Sequence, residues 1–186
     1  MLRRLLVTLV VAGTFTTASA VRIVPSLGTA SNEYGLSGTW TTSTDASGKD
    51  VSHLDLAARR GWIFMLGVEP ELELGYGRVR YDATDRTEKT LRIVGNALWN
   101  INLFNRTTVF GMGGYGWVKD WTQIGEAAVS GTHRIYHYGF GLKYYFVPNA
   151  GIRIDYRWEN ATGLDEGVDS ELYKSRKLMI GVSIYQ

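Results

Sequence analysis

Cysteine is absent from the 186 residues. That excludes disulfide staples, thiolate metal sites and a lipid-modified cysteine anchor. Proline is scarce, at 3 residues beside 22 glycines, and no linker, low-complexity segment or charge run divides the chain. An excess of one charge is lacking too. The formal net charge is +2, and both surplus cations, Arg3 and Arg4, lie in the first four residues. The rest balances, so there is no electrostatic case for a nucleic-acid partner. Beyond the first twenty residues no apolar run approaches the roughly 20 residues of a membrane helix. This leaves one membrane solution open, because a closed barrel also satisfies its backbone in lipid.

The first twenty residues read as an address. Met1 to Arg4 carries positive charge, Leu5 to Val11 is mostly apolar, and Ala18-Ser19-Ala20 is a small-residue cleavage site. This is the pattern of a secretory signal peptide, with an apolar run too short to span as a helix. Residues 1–20 are expected to be removed, leaving 21–186 as one exported domain.

Alternation fills that domain. Eight segments show it: Glu33 to Thr42, His53 to Leu66, Glu71 to Tyr81, one after Lys89, one opening at Thr108, Arg134 to Phe146, Gly151 to Trp158, and Arg176 to Gln186. In the third, Leu72, Leu74 and Tyr76 oppose Glu73, Gly75 and Gly77. In the sixth, Tyr136, Tyr138, Phe140, Leu142 and Tyr144 oppose His137, Gly139, Gly141 and Lys143. In the seventh, Ile152, Ile154, Tyr156 and Trp158 oppose Arg153, Asp155 and Arg157. A period of two is the strand signal. Arg60 falls on the apolar face of the second segment, which suggests a bulge there. Glycines blur the phase of the fifth, and Val21 to Asn32 fits either an extension of strand one or a loose lead.

Three connections are tight (Gly67 to Pro70, Asn105 to Thr108, Val147 to Ala150). Four are longer and polar (Ser43 to Ser52, Asp82 to Lys89, Thr122 to Thr132, Asn160 to Ser175). That asymmetry predicts an all-β fold, an eight-stranded antiparallel up-and-down barrel with its tight turns at one end. Two senses compete. A soluble lipocalin-like carrier turns its aromatic face inward; a transmembrane β-barrel turns it outward. Three features favour the membrane sense. Gly75, Gly77, Gly139, Gly141 and Gly181 lie with the charges, as crowding inside a narrow barrel requires. On the apolar face Trp40, Tyr76, Trp99, Tyr136, Tyr144 and Trp158 sit toward strand ends, where such rings suit the lipid–water interfaces; Tyr156 shares that face. Finally, Glu73, Lys143, Arg153, Asp155 and Arg157 can pair within a lumen.

Glu71-Leu-Glu-Leu-Gly-Tyr76, Val147-Pro-Asn-Ala-Gly-Ile-Arg-Ile-Asp-Tyr-Arg-Trp158 and Leu178-Met-Ile-Gly-Val-Ser-Ile184 resemble strands three, seven and eight of the OmpA-type barrel domain of Gram-negative outer membranes. The resemblance implies a lumen ion pair, described as a gate, between Glu73 and Arg153. Lys143 stands where that family has a lumen glutamate, and Asn96 where it has a lumen lysine. A rewired network is therefore expected, with Glu73 and Asp155 sharing Lys143, Arg153 and Arg157. Larger members add a periplasmic peptidoglycan-binding domain, which is not expected here. The implied partners are outer membrane lipid and lipopolysaccharide, the barrel-assembly machinery, and a host or surface ligand reached through the loops. The terminal aromatic read by that machinery is replaced by Gln186, behind Tyr185.

Other chemistry fails its own tests. Gly111-Met-Gly-Gly-Tyr-Gly116 matches a dinucleotide fingerprint, but Trp117-Val-Lys-Asp-Trp121 carries no helix signal after it. Small residues in a crowded lumen account for it better. His133 and His137 would sit about 13 Å apart on a strand, too far for one ion. A His-x-Ser deacylase needs a serine where Gly139 stands, and Ser52 and His53 point to opposite faces. No metal, cofactor or catalytic residue is expected. The expected role is structural or surface-facing: membrane integrity, adhesion, or contact with host or environment through four outer loops. A narrow low-conductance channel and a lipid-modifying enzyme are the alternatives.

Overall fold

A computed structural model describes residues 31–44, 50–64, 67–81, 86–124, 127–162 and 175–186. They form eight strands: β1 (Ser31–Thr44), β2 (Asp50–Ile63), β3 (Val68–Tyr81), β4 (Arg86–Phe104), β5 (Thr107–Ile124), β6 (Ala127–Val147), β7 (Ala150–Thr162) and β8 (Ser175–Tyr185). Each pairs antiparallel with the next, and β1 with β8, closing a barrel. The closing seam is short, from Glu33↔Tyr185 to Gly38↔Ile180. Asn32 and Gln186 extend it, each donating its N–H to the other's carbonyl at 2.7 and 2.9 Å. Residues 1–30, with the expected signal peptide and most of the stretch left undecided before strand one, lie outside the described residues.

Alternation in the sequence becomes two surfaces. Leu36, Leu74, Ile93, Trp99, Phe140 and Ile180 are exposed on the outside, while Glu73, Arg92, Lys143, Arg153 and Arg157 are buried inside. The register fixes how the walls face each other. Following hydrogen-bonded partners from Glu73 through β2, β1 and β8 reaches β7 at Gly151. Going the other way, through β4, β5 and β6, reaches β7 at Ala161, ten residues further on. Eight strands staggered by ten residues tilt roughly 40° from the barrel axis.

Local details differ from the sequence expectation. The turn after β2 comes earlier: Phe64 N–H donates to the Val68 carbonyl at 2.8 Å, and Gly67 takes a φ of 78° that glycine adopts without strain. Val68, Glu69 and Pro70 are consequently strand residues, and Glu69 points inward. No bulge lies at Arg60. The β1–β2 register runs unbroken, and the guanidinium rests 5.0 Å from the Trp62 ring and 5.5 Å from Tyr34. A cation over aromatic faces tolerates an apolar surface. The register shifts fall instead beside the tight turns, between Asn102 and Phe104 and between Tyr145 and Val147. Asn102 is exposed there.

The expected loop Thr122 to Thr132 is largely strand, and Ser43 to Ser52 and Asp82 to Lys89 are strand in part. β4 begins at Arg86, and β5 and β6 stay paired from Lys119↔Thr132 to Ile124↔Ala127. The fifth strand's phase is resolved as well. Phe110, Met112, Gly114, Gly116 and Val118 face inward, while Gly111, Gly113, Tyr115 and Trp117 face out. The glycine-rich run therefore serves both surfaces and not the lumen alone.

A Cβ at Gly116 would lie 2.0 Å from the Ile93 carbonyl oxygen, whereas one at Gly111 would meet nothing within 4 Å. Gly116→Ala is expected to destabilise the barrel by about 1–3 kcal/mol through forced backbone shifts. Gly111→Ala should stay within about 0.5 kcal/mol. Urea unfolding in detergent or lipid, followed by tryptophan fluorescence, measures both.

Candidate functional site

The lumen is built one strand at a time from inward-facing positions. At the tight-turn end Ile63, Tyr145 and Tyr185 pack together, the two tyrosine rings 5.0 Å apart, and form an apolar floor. Above it Lys143 Nζ bridges Glu33 at 2.5 Å and Glu69 at 2.6 Å. Ser183 Oγ donates to Glu33 at 2.6 Å, and Asn100 Nδ2 to Glu69 at 2.8 Å. Next comes Arg153, which donates to Glu71 and, at 3.1 Å, to Asp155. The Phe110 ring lies against both cations, 5.4 Å from Lys143 Nζ and 4.7 Å from the Arg153 guanidinium.

The middle layer is denser. Glu73 accepts from Arg157 at 2.7 Å and from Arg59 and Arg92 at 3.2 Å each. Asp155 accepts from Arg157 at 2.8 Å and pairs with Arg59 at 3.2 Å. Toward the outer end Arg92 forks onto Asp55 at 2.8 and 2.5 Å, and Lys177 joins Asp55 to Glu159 at 2.6 Å each. Glu33, Asp55, Glu69, Glu71, Glu73, Asp155 and Glu159 thus meet Arg59, Arg92, Lys143, Arg153, Arg157 and Lys177. Seven acids interleave with six cations in one connected column.

Opposite the densest pairing the wall is only partly satisfied. Asn96, Gly114, His137 and Glu159 are successive partners across β4, β5, β6 and β7. Asn96 Oδ1, both ring nitrogens of His137 and Glu159 Oε1 are buried there without a hydrogen bond. Buried polar atoms of this kind are ordinarily satisfied by ordered water. His133, four residues from His137, turns to Asp120, its Nε2 2.9 Å from Oδ1. Among the described residues no group of three or more metal-ligating side chains forms.

The five residues singled out from sequence all lie in the column, but the implied direct pair is absent. Glu73 takes Arg59, Arg92 and Arg157; Arg153 takes Glu71, Asp155 and Glu33. The stagger explains this. Midway between Gly151 and Ala161 on β7 is Tyr156, so the residues level with Glu73 are Asp155 and Arg157, and Arg153 lies one inward step nearer the floor, level with Glu71. Of the cations expected to be shared by Glu73 and Asp155, only Arg157 touches both, joined by Arg59. Lys143 belongs to Glu33 and Glu69.

Glu33, Asp55, Arg59, Glu69, Glu71, Arg92, Glu159 and Lys177 were not singled out. Parity marks most of them, since each shares the inward face of its strand, and Glu69 was hidden by the misplaced turn. On the outside Trp40 and Trp99 are 75% and 67% exposed. Tyr76, Tyr136 and Tyr144 are exposed as well. Tyr156 and Trp158 are half-buried because they pack on each other and on Phe140 and Tyr138. Tyr156 lies at mid-height, level with Glu73, and not at a strand end.

A closed antiparallel barrel with an apolar exterior and a lumen of interlocked charge is a transmembrane barrel of the outer membrane type. The sequence match agrees: the chain belongs to the outer membrane protein β-barrel domain family, which covers residues 6–184. The protein is therefore an outer membrane protein. Its fold is shared with neisserial surface protein A, at 14% identity and a TM-score of 0.63 over 83% of this chain and 96% of that one. The N-terminal β-barrel domain of Pseudomonas aeruginosa OprF is also similar, with 14% identity, a TM-score of 0.55, and 86% and 98% coverage. A major outer membrane protein of Thermus thermophilus shows 12% identity, a TM-score of 0.53, and 85% and 100% coverage. No curated protein sequence matches the chain.

Arg153→Ala strands the buried carboxylate of Glu71 and should cost about 3–5 kcal/mol. Glu71→Ala alone should also destabilise. The double variant should lose clearly less than the sum, by a coupling of about 0.5–3 kcal/mol read from urea unfolding of all four proteins.

Proposed function

We propose that this protein is a closed-lumen structural and surface barrel, whose work is done outside its lumen. The single observation behind this reading is the charge column. It runs from the Tyr145–Tyr185 floor to Glu159 with side chains that are almost all fully buried. An eight-stranded barrel has room only for such side chains, and opening a path would require several buried pairs to separate together. The protein's contacts are then those of its membrane face and its outer end. There the β5–β6 hairpin, paired up to Ile124↔Ala127, stands above β8, which starts at Ser175. That hairpin, with the longer connections beside it, offers a surface for a ligand of the host or environment. We further infer export by removal of residues 1–20, insertion by the barrel-assembly machinery, and no catalytic activity.

The absence of cysteine gives a direct test of orientation. Ser130→Cys on the β6 arm of the hairpin should react with a membrane-impermeant maleimide on intact cells. Asn149→Cys in the tight β6–β7 turn should react only after the outer membrane is permeabilised. The reverse pattern would invert the surface assignment. Mass spectrometry of lipid A from cells with and without the protein tests the enzyme alternative, and an unchanged spectrum is expected.

One observation favours a second reading, a low-conductance path. The partly satisfied row of Asn96, His137 and Glu159 gives the column a polar edge with unpaired atoms. In planar bilayers the native barrel should be closed most of the time, and Arg153→Ala should raise small-ion conductance. A native barrel that stays open under the same conditions would overturn the closed-lumen reading.

A further inference from the structure

The outer face of the barrel carries charge in only a few places, and one of them is ordered. Arg78 on β3, Lys89 on β4, Lys119 on β5 and Arg134 on β6 are all exposed and all point outward. Arg78 and Lys89 are direct cross-strand partners. Two like charges in that position repel and destabilise a sheet unless something neutralises them. Lys119 sits two residues below Trp121, the partner of Lys89, and Arg134 four residues below Ser130, the partner of Trp121. A hydrogen-bonded row climbs toward the outer end as it crosses each tilted strand. These downward steps offset the climb, and the four cations form a level belt.

Nothing within the described residues neutralises it. On β3 to β6 no carboxylate faces outward: Glu69, Glu71 and Glu73 are in the lumen, Glu88 pairs with Arg86, and Asp120 faces His133. Among the described residues, Lys119 Nζ lies 5.4 Å from the Trp121 ring. A second feature gives the belt its direction. Two residues nearer mid-membrane on each strand lies an outward apolar or aromatic side chain: Tyr76 below Arg78, Leu91 below Lys89, Trp117 below Lys119 and Tyr136 below Arg134. Each strand therefore presents a cation above a surface for acyl chains. The belt spans three strand spacings, about 14 Å, at the end with the longer connections, which in such barrels faces outside.

We propose that this belt is a binding site for the phosphate groups of lipid A in the outer leaflet. Arginine and lysine make strong, charge-assisted hydrogen bonds to phosphate, and cations at a membrane rim attract anionic headgroups. The phosphates relieve the Arg78–Lys89 repulsion while the acyl chains cover Tyr76, Leu91, Trp117 and Tyr136. The site depends on outer membrane placement alone and lies below the β5–β6 tip. It stands or falls separately from any ligand of the loops.

Native mass spectrometry of the folded barrel in detergent, with hexa-acyl bisphosphorylated lipid A as probe, tests the site. The native protein should retain this lipid and lose about tenfold in affinity for the same lipid after enzymatic dephosphorylation. The variant R78Q/K89Q/K119Q/R134Q should lose a similar factor for the phosphorylated form, while Arg60→Gln at the opposite end changes nothing. Equal binding of the two lipids by the native protein, or undiminished binding by the quadruple variant, overturns the proposal. Displacement of the lipid by millimolar inorganic phosphate would assign the belt to free anions instead. A boiling-dependent gel shift checks that the variant folds; if it does not, the two-lipid comparison on the native protein decides.

Discussion

Closing eight strands with a ten-residue stagger fixes a lumen of one width, and everything inside must fit it. Such a bore leaves no room for a hydration shell around each charge. Ions placed there must satisfy one another, because an isolated charge out of water costs several kcal/mol. The column from Glu33 to Glu159 is the consequence. Most of its cations hold two or more acids, and most acids hold two or more cations, so no pair can open without disturbing the next. Glycine has its place in the same constraint. Where Arg92 crosses β3, Gly75 leaves room that a Cβ would fill, the Arg92 Nε lying only 2.3 Å from that position. Sequence, sheet geometry and charge burial are linked at that one contact.

Most of the architecture was legible because a barrel strand writes its two surfaces at alternate positions. The order of Leu72, Glu73, Leu74 and Gly75 on β3 already separates lipid from lumen, and the sense of that separation follows from where the glycines lie. Strand ends were harder to read. Val68-Glu69-Pro70 carries a proline and a β-branched residue beside a glycine, which reads as a turn. Only the long-range pairing of Val68 with Trp99 makes it strand. The β5–β6 extension was hidden for a related reason. Above the membrane both faces of a strand meet water, so Thr122 to Thr132 loses the alternation that marks the rest.

Partners within the lumen were the least legible part. Parity says that Glu73 and Arg153 share an interior but is silent about height. Height depends on the stagger summed over all eight strands, a global property that no single segment encodes. Resemblance to a family supplies a pairing of Glu73 with Arg153, but the stagger puts Arg153 level with Glu71 and Arg157 level with Glu73. Lys143 draws Glu33 and Glu69 to the floor, and Arg153 is left to Glu71 while Arg157 takes Glu73.

The barrel is not equivalent around its circumference. β4, β5 and β6 are its longest strands, with 19, 18 and 21 residues, and β8 is the shortest with 11. The tall hairpin, Asn96 and His137 of the partly satisfied row, and three of the four belt cations lie on this long side. A hairpin that rises from the rim on two strands has little to brace it, since a two-stranded ribbon alone is marginally stable in water. Anions held at its base would neutralise Lys119 and Arg134, one on each arm, at the level where the hairpin leaves the membrane. The inner and outer faces of the long side then solve one problem in two ways. Inside, charge is neutralised by charge from the opposite wall. Outside there is no opposite wall, and the surrounding leaflet must supply the counter-charge.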